Sequence, residues 1–131
     1  MKSIEYRAVF EPFAEKHYIK SFAKKYKGAW DFTFNLLEKE FGQIDLLFEK
    51  SIAEIITDSK NIKICKVEFK IAGTNQSRKG SGNRCIVAIH KDANMVNVLL
   101  IYHKTHLGDG NETAKWKQMI KDNYPKYCDL L

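Results

Sequence analysis

The stretch Arg78-Lys79-Gly80-Ser81-Gly82-Asn83-Arg84 puts three cations on a loop of small and polar residues, directly ahead of the apolar run Cys85 to Ile89. Such a loop is exposed and rich in backbone N–H donors, so it is either an ordinary hairpin connection or a place that holds an anion. A second basic set, His103-Lys104-Thr105-His106, closes the next apolar run. These residue types suit phosphate: arginine's planar fork grips two oxygens, lysine supplies a point charge, and histidine carries a proton near neutral pH. Other chemistries fit less well. A nucleotide-binding P-loop needs Gly-Lys-Ser/Thr opening a helix, whereas Lys79 precedes its glycine and a strand follows. His103 and His106 are three positions apart, which on a strand turns them to opposite faces, and no Cys or carboxylate has complementary spacing nearby, so neither a metal nor another cofactor is expected.

Charge distribution agrees with a phosphate-bearing partner. The chain of 131 residues has a formal charge of +6, but residues 1–58 carry nine Lys/Arg against ten Asp/Glu, net −1, and residues 59–131 carry thirteen against six, net +7. A basic half of this kind attracts polyanions, nucleic acid first among them, by counterion release and long-range steering. The three cysteines, Cys65, Cys85 and Cys128, are odd in number and without paired spacing, and two lie in strand-like apolar segments as small hydrophobes, which fits a reducing compartment. No apolar run approaches the ~20 residues of a membrane span, so a cytoplasmic location and no membrane partner are expected.

The elements that must position these residues follow from periodicity. With 44% hydrophobic residues, no repeat and no linker, residues 1–131 read as one domain. Ile4 to Phe10 reads as a strand stopped by Pro12. Tyr18, Phe22 and Tyr26, then Trp30, Phe34, Leu37 and Phe41, recur at helical spacing, with stops at Gly28 and Gly42; Ile44, Phe48, Ile52 and Ile55 predict a third helix. After Asn61 the period becomes two. Val67, Phe69 and Ile71 alternate with Lys66, Glu68 and Lys70, while Ile62 and Ile64 stand in the opposite phase, which predicts a bulge near Cys65 or a late strand start. Cys85 to His90 and Met95 to Tyr102 are further strands around a turn at residues 91–94, the second covered on both faces. A last helix starts near Asn111 or Glu112 with Trp116, Ile120 and Tyr124 on one side. The order predicts an α+β fold, a mostly antiparallel sheet with helices packed on one face, and a first strand that joins as a neighbour of the last strand or as an edge.

Phe69-Lys70-Ile71-Ala72-Gly73, the basic loop, Arg84-Cys85-Ile86-Val87 and Val98 to Lys104 together resemble the C-terminal half of the RelE superfamily of toxin endoribonucleases, its HigB-like branch in particular. The resemblance spans roughly residues 62–105. Asn83 stands where an aromatic residue or glycine is usual, the strand ending in His90 lacks the common tyrosine, and both helical ends look longer than in minimal members. What the resemblance implies is a RelE-like fold with N-terminal helices on one face and a C-terminal helix, and metal-independent cleavage of mRNA by 2′-OH attack on the adjacent phosphate, often on the ribosome, with a cognate antitoxin as partner. Carried over by position, Arg84 would hold the scissile phosphate; Arg78, Lys79 and Lys70 would add phosphate contacts, one lysine acting as base; Lys104 would stabilise the leaving side; and His103 and His106 would carry protons.

Each of these residues also has a plainer explanation. Arg84 shields a strand edge, Arg78 and Lys79 are solvated loop cations, and Lys66 and Lys70 pair with Glu68 on a surface. Tyr102 would stack a base if it faced the basic side, although aromatics in apolar strands are usually core; Trp30, Phe34, Trp116 and Tyr124 are assigned to packing, and His90 to a strand end. With RNA contacts from Lys66, Lys70, Arg78, Lys79, Arg84, Tyr102 and His106 but no catalysis, the chain would be an RNA- or ribosome-binding module. A gyrase-poisoning toxin of the ParE-like branch, which lacks the catalytic cations, is the other alternative.

Overall fold

The computed structural model describes residues 4–131; residues 1–3 and the side chains of His17 and Tyr18, the latter one of the expected helix aromatics, lie outside the described residues. β1 (Arg7–Phe10) gives way at once to helix: Pro12, whose missing N–H and fixed φ suit a first helical position, opens α1 (Pro12–Ala14). A π-turn (Glu15–Ile19) joins α1 to α2 (Lys20–Lys25), and α3 (Ala29–Gly42) and α4 (Ile44–Glu49) follow. Then come β2 (Ala53–Asp58), β3 (Ile62–Phe69), β4 (Asn83–His90), β5 (Met95–His103), a 3-10 turn (Lys104–Leu107), α5 (Glu112–Asn123) and a final 3-10 turn (Pro125–Leu130). Asn111 caps α5, its side chain accepting the Ala114 N–H, and the helix ends ahead of Pro125.

One sheet carries all the strands in the order β1-β5-β4-β3-β2. β2 to β5 form an antiparallel meander, and β1 lies parallel to β5 at the edge, as the first strand was expected to do. The expected third helix is corrected. Ile52 and Ile55 continue the helical spacing of Ile44 and Phe48, but α4 stops at Glu49, Ser51 turns through φ 57°, and the β-branched run at Ile55, Ile56 and Thr57 pairs with β3 as an edge strand.

The N-terminal helices pack on one face, as expected, and the C-terminal helix lies on the other, so both faces are covered. Cys65, Val67, Phe69, Cys85, Val87 and Ile89 pack under Phe22, Trp30, Leu37 and Phe41 of the N-terminal helices. Ile64, Ile86, Ala88, Leu100 and Tyr102 pack under Trp116 and Ile120 of α5 and Tyr124 and Tyr127 beyond it. Two covered faces explain the phase change at Ile62 and Ile64. β3 pairs with β4 without interruption from Ile62↔His90 to Phe69↔Asn83, and its buried side changes along its length; the bulge expected near Cys65 lies in β2, between Ile55 and Thr57, opposite Cys65 and Ile64. A second irregularity between Ile86 and Val87 lets Leu99 and Leu100 both reach the α5 side. Among the described residues no helix is long and apolar enough to cross a membrane.

Candidate functional site

Three backbone donors of the basic loop are spent on its own residues. Gly80 N–H donates to Ser77 Oγ (2.9 Å), Ser81 N–H to Ser77 O (3.0 Å) and Asn83 N–H to Ser81 Oγ (3.0 Å), while the Ser81 hydroxyl reaches the carbonyls of Phe69 and Arg78 at 2.5 and 2.7 Å. The loop is therefore an internally bonded hairpin connection in which these amides are not available to cradle an anion. Its second glycine has a steric duty: Gly82 has φ +77°, and a Cβ there would sit 2.7 Å from His103 Nε2.

Beyond the loop, strand alternation divides the predicted set between the two faces. Asn83 pairs with His103 and, one rung on, Arg84 pairs with Tyr102. On the α5 side the Arg84 side chain is only 13% exposed. Its Nη1 donates to Gly82 O (3.1 Å), its Nη2 lies 3.9 Å from Glu68 Oε1, and its Nε lies 3.1 Å from Glu112 Oε2, an ion-pair contact without hydrogen-bond alignment. The fully buried Tyr102 donates to the same Glu112 oxygen at 2.9 Å. Burial, reinforced by that carboxylate, pushes the Tyr102 phenol well above its ordinary pKa, so it is a donor at any physiological pH. Glu112 is also the wall of an open cleft of about 350 Å³ that Lys104, Thr105, Gly108 and Asp109 line. Arg84 thus pairs with a carboxylate whose residue lines a cleft together with Lys104.

The remaining residues go elsewhere. Arg78 turns to the opposite side and ion-pairs with Glu40 of α3, also reaching Glu68 O at 3.4 Å, so it does not converge with Arg84. Lys66 meets Glu54 at 3.4 Å, and Lys70 and Lys79 are exposed. His103 caps the 3-10 turn: its Nδ1 accepts from Thr105 N–H (3.2 Å) and lies 2.8 Å from Thr105 Oγ1, with Nε2 3.1 Å from Ser81 O. His106 Nδ1 accepts the His103 N–H at 3.0 Å. Acceptance at Nδ1 fixes the proton of each neutral ring on Nε2. Burial lowers both imidazole pKa values, and for His106 the neighbouring His103 and Lys25 lower it further. Neither ring is thereby arranged as a base; each presents a donor.

Among the described residues no three His, Cys, Asp or Glu side chains gather as a metal set. Cys65 and Cys85 are buried, and burial pushes the Cys65 thiol up to about 12, which leaves it unreactive near neutral pH. Sequence reasoning missed Glu68 and Glu112 as partners of Arg84. Glu68 had a signal, since pairing of the strands either side of the loop places it across from Arg84; Glu112 had none, being on a helix far along the chain.

The β-α-α opening, the meander and the C-terminal helix define an α+β fold of the RelE type. Within that class, the chain is similar to the crystal structure of the archaeal RelE–RelB complex from Pyrococcus horikoshii, with a TM-score of 0.51 and 8% identity over 76% of this chain and 94% of that one. No family matches the chain by sequence, and no curated protein matches it.

Proposed function

We propose that the chain is a RelE-type toxin that cleaves mRNA on the ribosome and is held in check by a cognate antitoxin. The observation that carries this reading is the Arg84–Glu112 ion pair beside a cleft that Glu112 and Lys104 both line, on the α5 side of a RelE-like sheet. Cleavage without metal needs a proton acceptor for the 2′-OH, cations for the phosphoryl oxygens and support for the leaving 5′-oxygen. Glu112 supplies the acceptor, Arg84 the planar cation for the phosphoryl oxygens, and Lys104 the charge on the leaving side. Glu112 takes the 2′-OH proton, the 2′-oxygen bonds to phosphorus as the P–O5′ bond breaks, and the Lys104 ammonium gives O5′ its proton, leaving a 2′,3′-cyclic phosphate and a 5′-hydroxyl end. Exposed Lys70 and Lys79 add phosphate contacts.

A second reading is favoured by the pairing of Arg84 with Glu68 and Glu112, which leaves its fork to be freed before it can grip phosphate. On that reading the chain binds RNA or the ribosome without cleaving it. Expression of wild type and Arg84→Ala in bacteria, with mapping of mRNA 5′ ends, separates the two. New ends and growth arrest with wild type alone support the nuclease; no new ends from either chain support a gyrase poison if growth stops and the binding module if it does not.

A further inference from the structure

On the opposite face of the same sheet end lies a recess of about 120 Å³ between α2 and the 3-10 turn after β5. Asn83, 2% exposed, lines it, and the side-chain Oδ1 of Asn83 is buried without a hydrogen-bond partner. Unmatched buried acceptors are rare in folded proteins because each forfeits its bonds to water, so one that borders a recess marks a place for a donor that arrives from outside.

The remaining walls narrow the kind of donor. The rings of Phe22 and Tyr26 are stacked with centroids 6.3 Å apart, and His106 stands edge-on to Phe22 at 5.7 Å. The His106 ring adds an aromatic edge to the wall, and Lys25 adds a cation on the exposed side. A buried acceptor, aromatic surface and a flanking cation complement a flat ring with an N–H on its edge and a phosphate attached. That is the chemistry of a nucleotide, and unpaired bases in single-stranded RNA are read by such edge bonds and aromatic contacts.

We propose that this recess is a subsite for one nucleobase of an RNA strand, with Asn83 Oδ1 accepting from a base N–H and Lys25 meeting the attached phosphate. It deepens the RNA reading above and rests on the chain engaging RNA, but not on cleavage.

The test is a titration of the folded protein with AMP, CMP, GMP and UMP, and separately with ribose 5-phosphate, followed by NMR of the Asn83 side-chain amide and the His106 ring. At least one nucleotide is expected to move both signals and to bind about tenfold more tightly than ribose 5-phosphate, the size of one well-made base contact. Asn83→Ala should remove that preference; Lys25→Ala, a surface change that leaves the core intact, should weaken the nucleotide several-fold while keeping the preference. Equal binding of ribose 5-phosphate, or nucleotide shifts confined to Lys70, Lys79 and Lys104, overturns the subsite. If the Asn83 and His106 signals respond while mRNA ends in cells are unchanged, the subsite holds and the nuclease reading fails. If cleavage occurs at the same positions with Asn83→Ala, the nuclease holds and the subsite fails.

Discussion

The two faces of the sheet at its loop end use adjacent residues for different physics. Arg84 and Tyr102 point towards α5 into a set of full charges, a guanidinium between the carboxylates of Glu68 and Glu112. Asn83 and His103, one residue away in each strand, point towards α2 into neutral dipoles, an amide, two uncharged imidazoles and the hydroxyl of Thr105, with the Lys25 cation at the exposed rim. Full charges and neutral dipoles are both found here, and the period-two alternation of β4 and β5 is what keeps them apart. A single loop motif read along the chain merges them.

Breaking the α5 face is the largest perturbation. Trp116 is fully buried against the sheet, and Trp116→Ala is expected to cost about 3–5 kcal/mol in urea denaturation, the usual range for truncating a core aromatic. The loss should also free Glu112 from Arg84, because Trp116 is what seats α5.

Gly82→Ala strikes the other face. The new methyl meets the His103 ring and the backbone must hold φ +77°, so about 2 kcal/mol is expected together with displacement of the ring from Ser81 O, visible in its NMR shifts. The α5-side contacts of Arg84 should survive that change.

Arg84→Ala against Arg78→Ala sharpens the comparison by charge. Removing Arg84 leaves the partly buried carboxylates of Glu68 and Glu112 without their cation, for a cost of about 2 kcal/mol. Arg78, 33% exposed and paired with Glu40, should cost about 1 kcal/mol or less by the same denaturation measurement.

The smallest effect is in pH. His103 and His106 have folded-state pKa values below the ordinary 6.5, chiefly because burial disfavours the charged ring. The unfolded chain therefore takes up protons first as pH falls, so their stabilising contribution is full above about pH 6.5 and declines below it until the folded rings also protonate. Thermal midpoints should fall between about pH 7 and pH 5, and His106→Gln should flatten that fall in part, His90 being lowered as well.

Much of this arrangement was legible in the residues, and the failures have physical causes. Met95 to Tyr102 read as a doubly covered strand because both of its faces are apolar, and it is one. Ile52 and Ile55 misled because four- and three-residue spacing is shared by a helix and by the accident of an edge strand following one; only pairing with β3 decides between them. For the site, the cations were visible but their partners were not. Glu40 for Arg78 and Glu112 for Arg84 are fixed by which helix covers which face, a tertiary fact that no local spacing encodes. His103 and His106 read as proton carriers from their type, whereas their Nδ1 atoms are committed to the backbone of the turn they cap.

The central claim, that the charged face is the reactive one, is tested most directly by incubating purified protein with ribosomes carrying a defined mRNA and identifying the new 3′ ends. The account predicts 2′,3′-cyclic phosphate ends with wild type, none with Arg84→Ala, and retained ends with Arg78→Ala. Intact RNA that wild type and Arg84→Ala bind with the same salt dependence would contradict it.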